Sequence, residues 1–223
     1  MTQVMSDPAP QADPLMPRVP KQARSRARFE AILDAAEALI ADQGMAHLTM
    51  SEVAVRAGVP IGSLYQYMPT QQALVRALTD RFLGGWRRDI EHFVSEVDTP
   101  QALSDGLAAV LWRIYQDMKA KPQHREIWAH MHADRDLAAF DLADSRRNVA
   151  RILDAAERVG ALTDADRAER AVDTLLITHL SGNAMQVATM LSDDEGLMVV
   201  QRYVALSASL MGLPAPTSFP PRP

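Results

Sequence analysis

Between Ile61 and Tyr67 the chain reads Ile-Gly-Ser-Leu-Tyr-Gln-Tyr, which places a hydroxyl, an amide and two phenols on one short segment. Gln66 can form the paired hydrogen bonds that read an adenine edge. Ser63 can donate or accept at a base or a phosphate, and Gly62, with no Cβ, lets the backbone come close to a ligand. Upstream, Lys21, Arg24 and Arg28 recur at three and four residues, with Arg26 beside them. That spacing gathers cations on one face of a helix or its approach. From there they can reach flanking phosphates or, from a flexible arm, the minor groove of a duplex. Hydrogen bonds to phosphate position a protein on DNA, and contacts to base edges specify the sequence read. The competing readings are a solvated basic face, a solvated Gln66 and one tyrosine buried in a core.

Other chemistries find less support. The run His130 to Asp136 (His-Met-His-Ala-Asp-Arg-Asp) suggests metal binding. On a helix, however, His130 and His132 project about 200° apart and cannot share an ion. Glu126 and His130 could share one, but paired carboxylate-bridged sites need Glu-x-x-His on two helices, and no such pair occurs. We therefore expect no metal and no cofactor. There is no cysteine, which excludes a disulfide framework and a thiolate zinc site. No phosphate-binding glycine loop, dinucleotide fingerprint or Ser/His/Asp arrangement is present, so the expectation is not an enzyme.

The elements that must position Ser63 to Tyr67 follow from spacing. Thr49 and Glu52 have the separation of a capping box, so a helix should start at Met50 and stop near Ala57. Gly58 can take the positive φ of a tight turn. Pro60 suits the entry to the next helix, Ile61 to Tyr67, and Pro69 stops it. Two helices joined this tightly hold the second one outward, at a size that enters the major groove. Before them, Phe29, Ile32, Leu33, Ala36, Leu39 and Ile40 form one apolar stripe ended by Gly44. After them, Thr70 can cap a helix reaching about Val97. Leu103, Leu107, Val110, Ile114 and Met118 form a further stripe. Pro122 opens a short helix, Leu137 to Val159 is a longer one, and Thr163 with Asp166 opens another. Asp193 to Glu195 mark the start of the last, which ends near Gly212.

The 223 residues are 48% apolar and 5% aromatic, a balance that favours packed helices over β-sandwiches. The expected fold is all-α with about nine helices. Residues 1–20 and 214–223 are proline-rich with little to bury and are expected to be disordered tails. No apolar run approaches the roughly 20 residues of a membrane span, and nothing looks like a signal peptide, so a cytoplasmic protein without a membrane partner is expected. Net charge is −5, yet residues 1–88 hold ten Lys/Arg and eight Asp/Glu, while the remainder hold thirteen and twenty. That asymmetry would turn the N-terminal part toward phosphates.

The segments QARSRARFEAILDAAEALIADQG and LTMSEVAVRAGVPIGSLYQYMPTQQAL resemble the N-terminal domain of the TetR family of transcriptional regulators, over roughly residues 24–75. The most specific element is AGVPIGSLYQYMP. The resemblance implies a helix-turn-helix DNA-binding domain at 21–68 and a larger helical ligand-binding and dimerisation domain at 69–213. It implies a homodimer on near-palindromic double-stranded operator DNA, most simply a repressor, released by a small apolar or amphipathic effector. DNA contacts carry over to Thr49, Ile61, Gly62, Ser63 and Gln66. To Tyr65 and Tyr67 carries over a role at sugar-phosphate and thymine methyls. Two departures stand out. Met68 replaces the usual aromatic, and Gln71 replaces the usual phosphate-binding lysine. An amide can still bond phosphate, but the counterion-release contribution falls by about one charge per subunit. The alternative is therefore a helical ligand-binding or interaction module that has lost DNA binding. In the second domain, candidate effector-lining residues are Trp112, Tyr115, Met118, Trp128, Met131, His179 and Asn183. Ala171, Leu175, Gly182, Met185, Val199, Leu206 and Leu210 are expected to pack the last two helices into a dimer bundle.

Overall fold

The computed structural model describes residues 16–20, 22–217 and 219. Among them lie nine α-helices and one 3-10 turn (Met45–His47), with no strand. The helices are α1 (Ala23–Gln43), α2 (Met50–Arg56), α3 (Ile61–Tyr67), α4 (Gln71–Glu96), α5 (Pro100–Ala120), α6 (Pro122–Ala133), α7 (Arg135–Arg158), α8 (Arg167–Thr189) and α9 (Asp193–Leu210). The all-α expectation holds. The chain divides into two compact units between Leu78 and Thr79, inside α4, where the sequence suggested a boundary after Met68. The first turn of α4 belongs with the first unit because it is bonded to it. Thr70 Oγ1 accepts from Ala73 N (3.1 Å), and Gln71 Nε2 donates to the Leu48 carbonyl (2.9 Å).

In the first unit the stripe of α1 is buried as its spacing predicts: Phe29, Ile32, Leu33, Ala36, Leu39 and Ile40 all face inward. Thr49 Oγ1 accepts from Glu52 N (3.3 Å) and starts α2. The turn after α2 is a Schellman motif. Val59 N donates to Ala54 O (3.0 Å) and Gly58 N to Val55 O (3.1 Å), with Gly58 at φ +65°, where a side chain would be strained. Pro60 at φ −57° then leads into α3. Arg56 bridges from α2 to Asp42 of α1 at 2.5 Å, an exposed pair worth at most about 1 kcal/mol.

In the second unit α8 packs on α9, α7 and α5, and α6 packs on α7 and α5. Leu103, Met118, Ile127, Met131 and Met185 are among its fully buried side chains. The later part of α4 is fastened to this unit by Arg113–Asp89 (3.0 Å) and Arg151–Glu91 (2.5 Å). Helix α8 begins at Arg167, later than the Thr163–Asp166 spacing suggested. Thr163 Oγ1 instead donates to Asp166 Oδ2 (2.6 Å) and closes a turn ahead of the helix.

The tails differ from expectation where they are described. Arg18 N donates to Tyr67 O (2.8 Å), so the approach to α1 is tied to the end of α3. Residues 214–217 lie along the start of α5. Ser104 Oγ donates to Pro214 O (2.7 Å), Gln101 Nε2 donates to Ala215 O (3.1 Å), and the Asp105 carboxylate accepts from Thr217 N and Oγ1. Prolines prevent a helix there but not an extended strap whose carbonyls meet side-chain donors. Residues 1–15, Lys21, Ser218 and 220–223, on which part of the tail expectation and one candidate phosphate contact fall, lie outside the described residues.

Candidate nucleic-acid interface

Helix α3 is held by two side chains. Leu64 and Met68 are both 0% exposed, four residues apart on the inward side. Met68 thus fills the slot of the expected aromatic, as a flexible thioether can. The opposite side is open. Ile61 and Tyr65 are 43% and 46% exposed, again four apart, and Gly62 and Gln66 are exposed between them. A Cβ built on Gly62 meets nothing within 4 Å. Ser63 is half-buried. The result is a short rod with one apolar seam and one face offering a phenol, an amide and an aliphatic group, the complement needed for a base edge and a thymine methyl.

The two tyrosines separate. Tyr65 is open, whereas Tyr67 is half-buried, its ring edge-on to Phe29 of α1 at 6.3 Å between centroids. Arg24 and Arg28 are exposed on one face of α1. The Thr49 hydroxyl is exposed but also donates to Glu52 Oε2 (2.7 Å). Gln71 is exposed and donates one amide N–H to Leu48 O, which helps to seat α4.

In the second unit the candidate effector residues do not converge. Met118 and Met131 are 0% exposed core. Trp112 and Tyr115 pair at 5.5 Å, and Phe219 lies against Trp112 at 5.3 Å. Trp128, Asn183 and His179 do form one neighbourhood. Trp128 Nε1 donates to Asn183 Oδ1 (3.1 Å), and the Trp128 ring lies tilted against His132 at 4.4 Å, which in turn lies 6.1 Å from His179. A separate, partly open apolar pocket of about 40 Å³ is lined by Ile90, Leu107, Val110, Leu111, Ile114, Ile152, Ile177, Met211 and three hydroxyl residues.

Sequence reasoning missed a buried polar seam on α7. Asp141, Asp144, Ser145 and Asn148 recur at three and four residues, a pattern that reads as a solvent-facing stripe, yet all four are buried. Asp144 is fully compensated: Arg87 Nε (2.8 Å), Arg147 (2.7 Å) and Asn148 Nδ2 (3.2 Å) donate to it. Asp141 is not. Burial pushes its carboxyl above the ordinary aspartate range, against the pull of His179 and His132, and its Oδ2 accepts no hydrogen bond.

The reverse holds for α8 and α9. Val172, Leu176, Leu180 and Val187 are 46% to 60% exposed, and Met198, Leu206 and Leu210 are also exposed. An open groove of about 550 Å³ runs past Leu191, Met198, Tyr203 and Leu206. The residues expected to form this face are split. Gly182 and Met185 point inward, with Gly182 against the Trp128 ring.

A helix-turn-helix with an outward α3, followed by a larger helical unit, defines a class of DNA-binding regulators. Residues 32–78 match the profile of the bacterial regulatory proteins of the tetR family. The chain is 33% identical over 98 residues to the HTH-type transcriptional regulator BetI of Rhizobium meliloti (strain 1021). That match covers 44% of this chain and spans about half (48%) of the curated relative. Among solved structures, SmeT, the repressor of the Stenotrophomonas maltophilia multidrug efflux pump SmeDEF, superposes with a TM-score of 0.67 at 20% identity, covering 89% of this chain and 99% of SmeT. The SmeT–triclosan complex superposes with a TM-score of 0.63 at 23% identity, covering 88% and 99%. The match over residues 32–78 identifies a tetR-family N-terminal domain in the first unit, and the superpositions extend the likeness in fold over most of the chain. Among the described residues no helix is long and apolar enough to cross a membrane.

Proposed function

We propose that this protein is a ligand-responsive transcriptional repressor, without enzymatic activity, that binds a near-palindromic operator as a homodimer in the cytoplasm. The carrying observation is the orientation of α3, with Leu64 and Met68 buried and Ile61, Gly62, Tyr65 and Gln66 facing out. TetR-family regulators bind operator DNA, act as dimers and bind small-molecule ligands. The exposed apolar faces of α8 and α9 supply the dimer contact, since contiguous apolar surface of this kind marks an interaction site. Two α3 helices then address major grooves about one helical turn apart, and Arg24 and Arg28 add phosphate contacts. A small apolar or amphipathic effector acts by binding one conformer better than another, and it lowers DNA affinity by that difference. The SmeT–triclosan complex supports an apolar aromatic class of effector.

The test is a gel shift with the DNA upstream of the gene, using Gln66→Ala and Tyr65→Phe beside wild type. Gln66→Ala should cost about 1–3 kcal/mol of specific affinity if its amide reads a base. Tyr67→Ala should also weaken binding, but its contact with Phe29 makes it the less clean probe. Unchanged affinity in Gln66→Ala and Tyr65→Phe would remove the assigned reading face. One observation favours the second reading, a module that no longer binds DNA: Gln71 stands in place of the lysine and is bonded to Leu48. Absence of any salt-dependent shift would select it.

A further inference from the structure

We propose that His132, Asp141 and His179 form a site for a divalent first-row transition ion, of which Zn²⁺ is the type, in the second unit. The three residues come from α6, α7 and α8, so no sequence spacing reveals them. Their donor atoms all lie within 4.8 Å of one another. Asp141 Oδ2 is 3.2 Å from His179 Nδ1 and 3.9 Å from His132 Nε2. With bonds near 2.0–2.1 Å, ligand atoms of a tetrahedral zinc lie about 3.3 Å apart. One contact already has that separation, and the others need small side-chain rotations.

The protonation pattern argues for a cation. His132 Nδ1 lies 3.0 Å from the Trp128 carbonyl, which can only accept, so Nδ1 carries the proton. In the neutral ring Nε2 then turns a lone pair toward the carboxylate. Fixing a ligand imidazole through its other nitrogen in this way is the usual arrangement around bound metals. Asp141 is 4% exposed and its Oδ2 has no hydrogen-bond partner, a costly state for a buried carboxylate. Its neighbour Asp144 shows that the fold supplies Arg87 and Arg147 where a carboxylate is to be satisfied internally. Ser145 Oγ approaches His179 Nδ1 at 3.4 Å. The imidazoles are 29% and 32% exposed, which leaves an entry path and an open fourth position. Two imidazoles and one carboxylate suit Zn²⁺ and its neighbours over Mg²⁺ or Ca²⁺. This inference does not depend on DNA binding by the first unit.

The experiment uses the tag-free full chain, stripped with chelator, titrated with Co²⁺ and followed by its visible d–d absorption, then displaced with Zn²⁺. The expected result is one ion per chain and bleaching by one equivalent of Zn²⁺. His132→Ala, at a partly exposed position, and Asp141→Asn should each weaken binding by more than about 100-fold. His130→Ala, beside the cluster, should leave it unchanged. Far-UV circular dichroism checks each fold. No stoichiometric binding by wild type overturns the proposal. So does binding kept in a folded His132→Ala variant but lost in His130→Ala, which would mark an adventitious surface site.

Discussion

Replacing Gly182 by alanine tests how α8 is seated on α6. A Cβ at this position would lie 2.2, 2.3 and 2.6 Å from Cη2, Cζ2 and Cζ3 of Trp128, against an ordinary carbon contact of about 3.5 Å. The ring must retreat by roughly 1.3 Å to restore that distance. It has little freedom to do so. Trp128 is buried, packs against Phe82, Trp86 and His132, and donates its indole N–H to Asn183. Overpacking costs about 1–3 kcal/mol, and loss of the indole hydrogen bond adds about 1 kcal/mol. Relief of glycine's backbone entropy offsets about 1 kcal/mol of this. The net expectation is a loss of about 2 kcal/mol, or roughly 4–8 °C in Tm for a unit of this size. Urea unfolding followed by circular dichroism reads the first figure, and a thermal scan the second. Gly85→Ala is the control of opposite sign. It sits inside α4 with nothing within 4 Å of an added Cβ, so it should be neutral or stabilise by up to about 1 kcal/mol. If Gly182→Ala proved as stable as wild type, the close helix approach inferred from Trp128 would be wrong.

Three further outcomes follow from the same structure. Leu180→Glu places a charge within the exposed apolar face of α8 and should convert the proposed dimer to monomer in sedimentation velocity, with the helical content unchanged; a variant that stays dimeric excludes that face. Leu64→Ala empties a fully buried position under α3 and should destabilise by about 2–5 kcal/mol, read as a shifted urea midpoint; a loss under 1 kcal/mol would mean that α3 is not anchored there. Asp117 is partly buried, which raises its pKa, but hydrogen bonds from His124 (2.5 Å) and Lys121 (2.8 Å) outweigh this and hold it below the ordinary 3.8. Its stabilising contribution should therefore be complete above that value and lost as pH falls through the lower folded value. The gap in urea midpoint between wild type and Asp117→Asn should narrow below about pH 4, and a gap constant down to pH 2 would refute the assignment.

The sequence alone determined the elements of the first unit. Thr49 with Glu52, Gly58, Pro60 and Pro69 act through neighbours a few residues away, so caps, turn and helix ends are local consequences of residue type. The anchoring of α3 by Leu64 follows from the same short-range periodicity. Tertiary structure decided what is inside and what is outside wherever pattern and burial part company. The polar stripe Asp141, Asp144, Ser145 and Asn148 is buried because α7 turns that face inward and arginines from α4 and α7 neutralise one of its carboxylates. The apolar stripe of Val172, Leu176 and Leu180 is exposed among the described residues, although its helical spacing is the same as that of a buried face. The meeting of His132, Asp141 and His179 is likewise a product of three packed helices. Hydrophobic spacing reports a helix's two faces, but which neighbour each face meets is set by long-range packing, and that information is not local to any stretch of the chain.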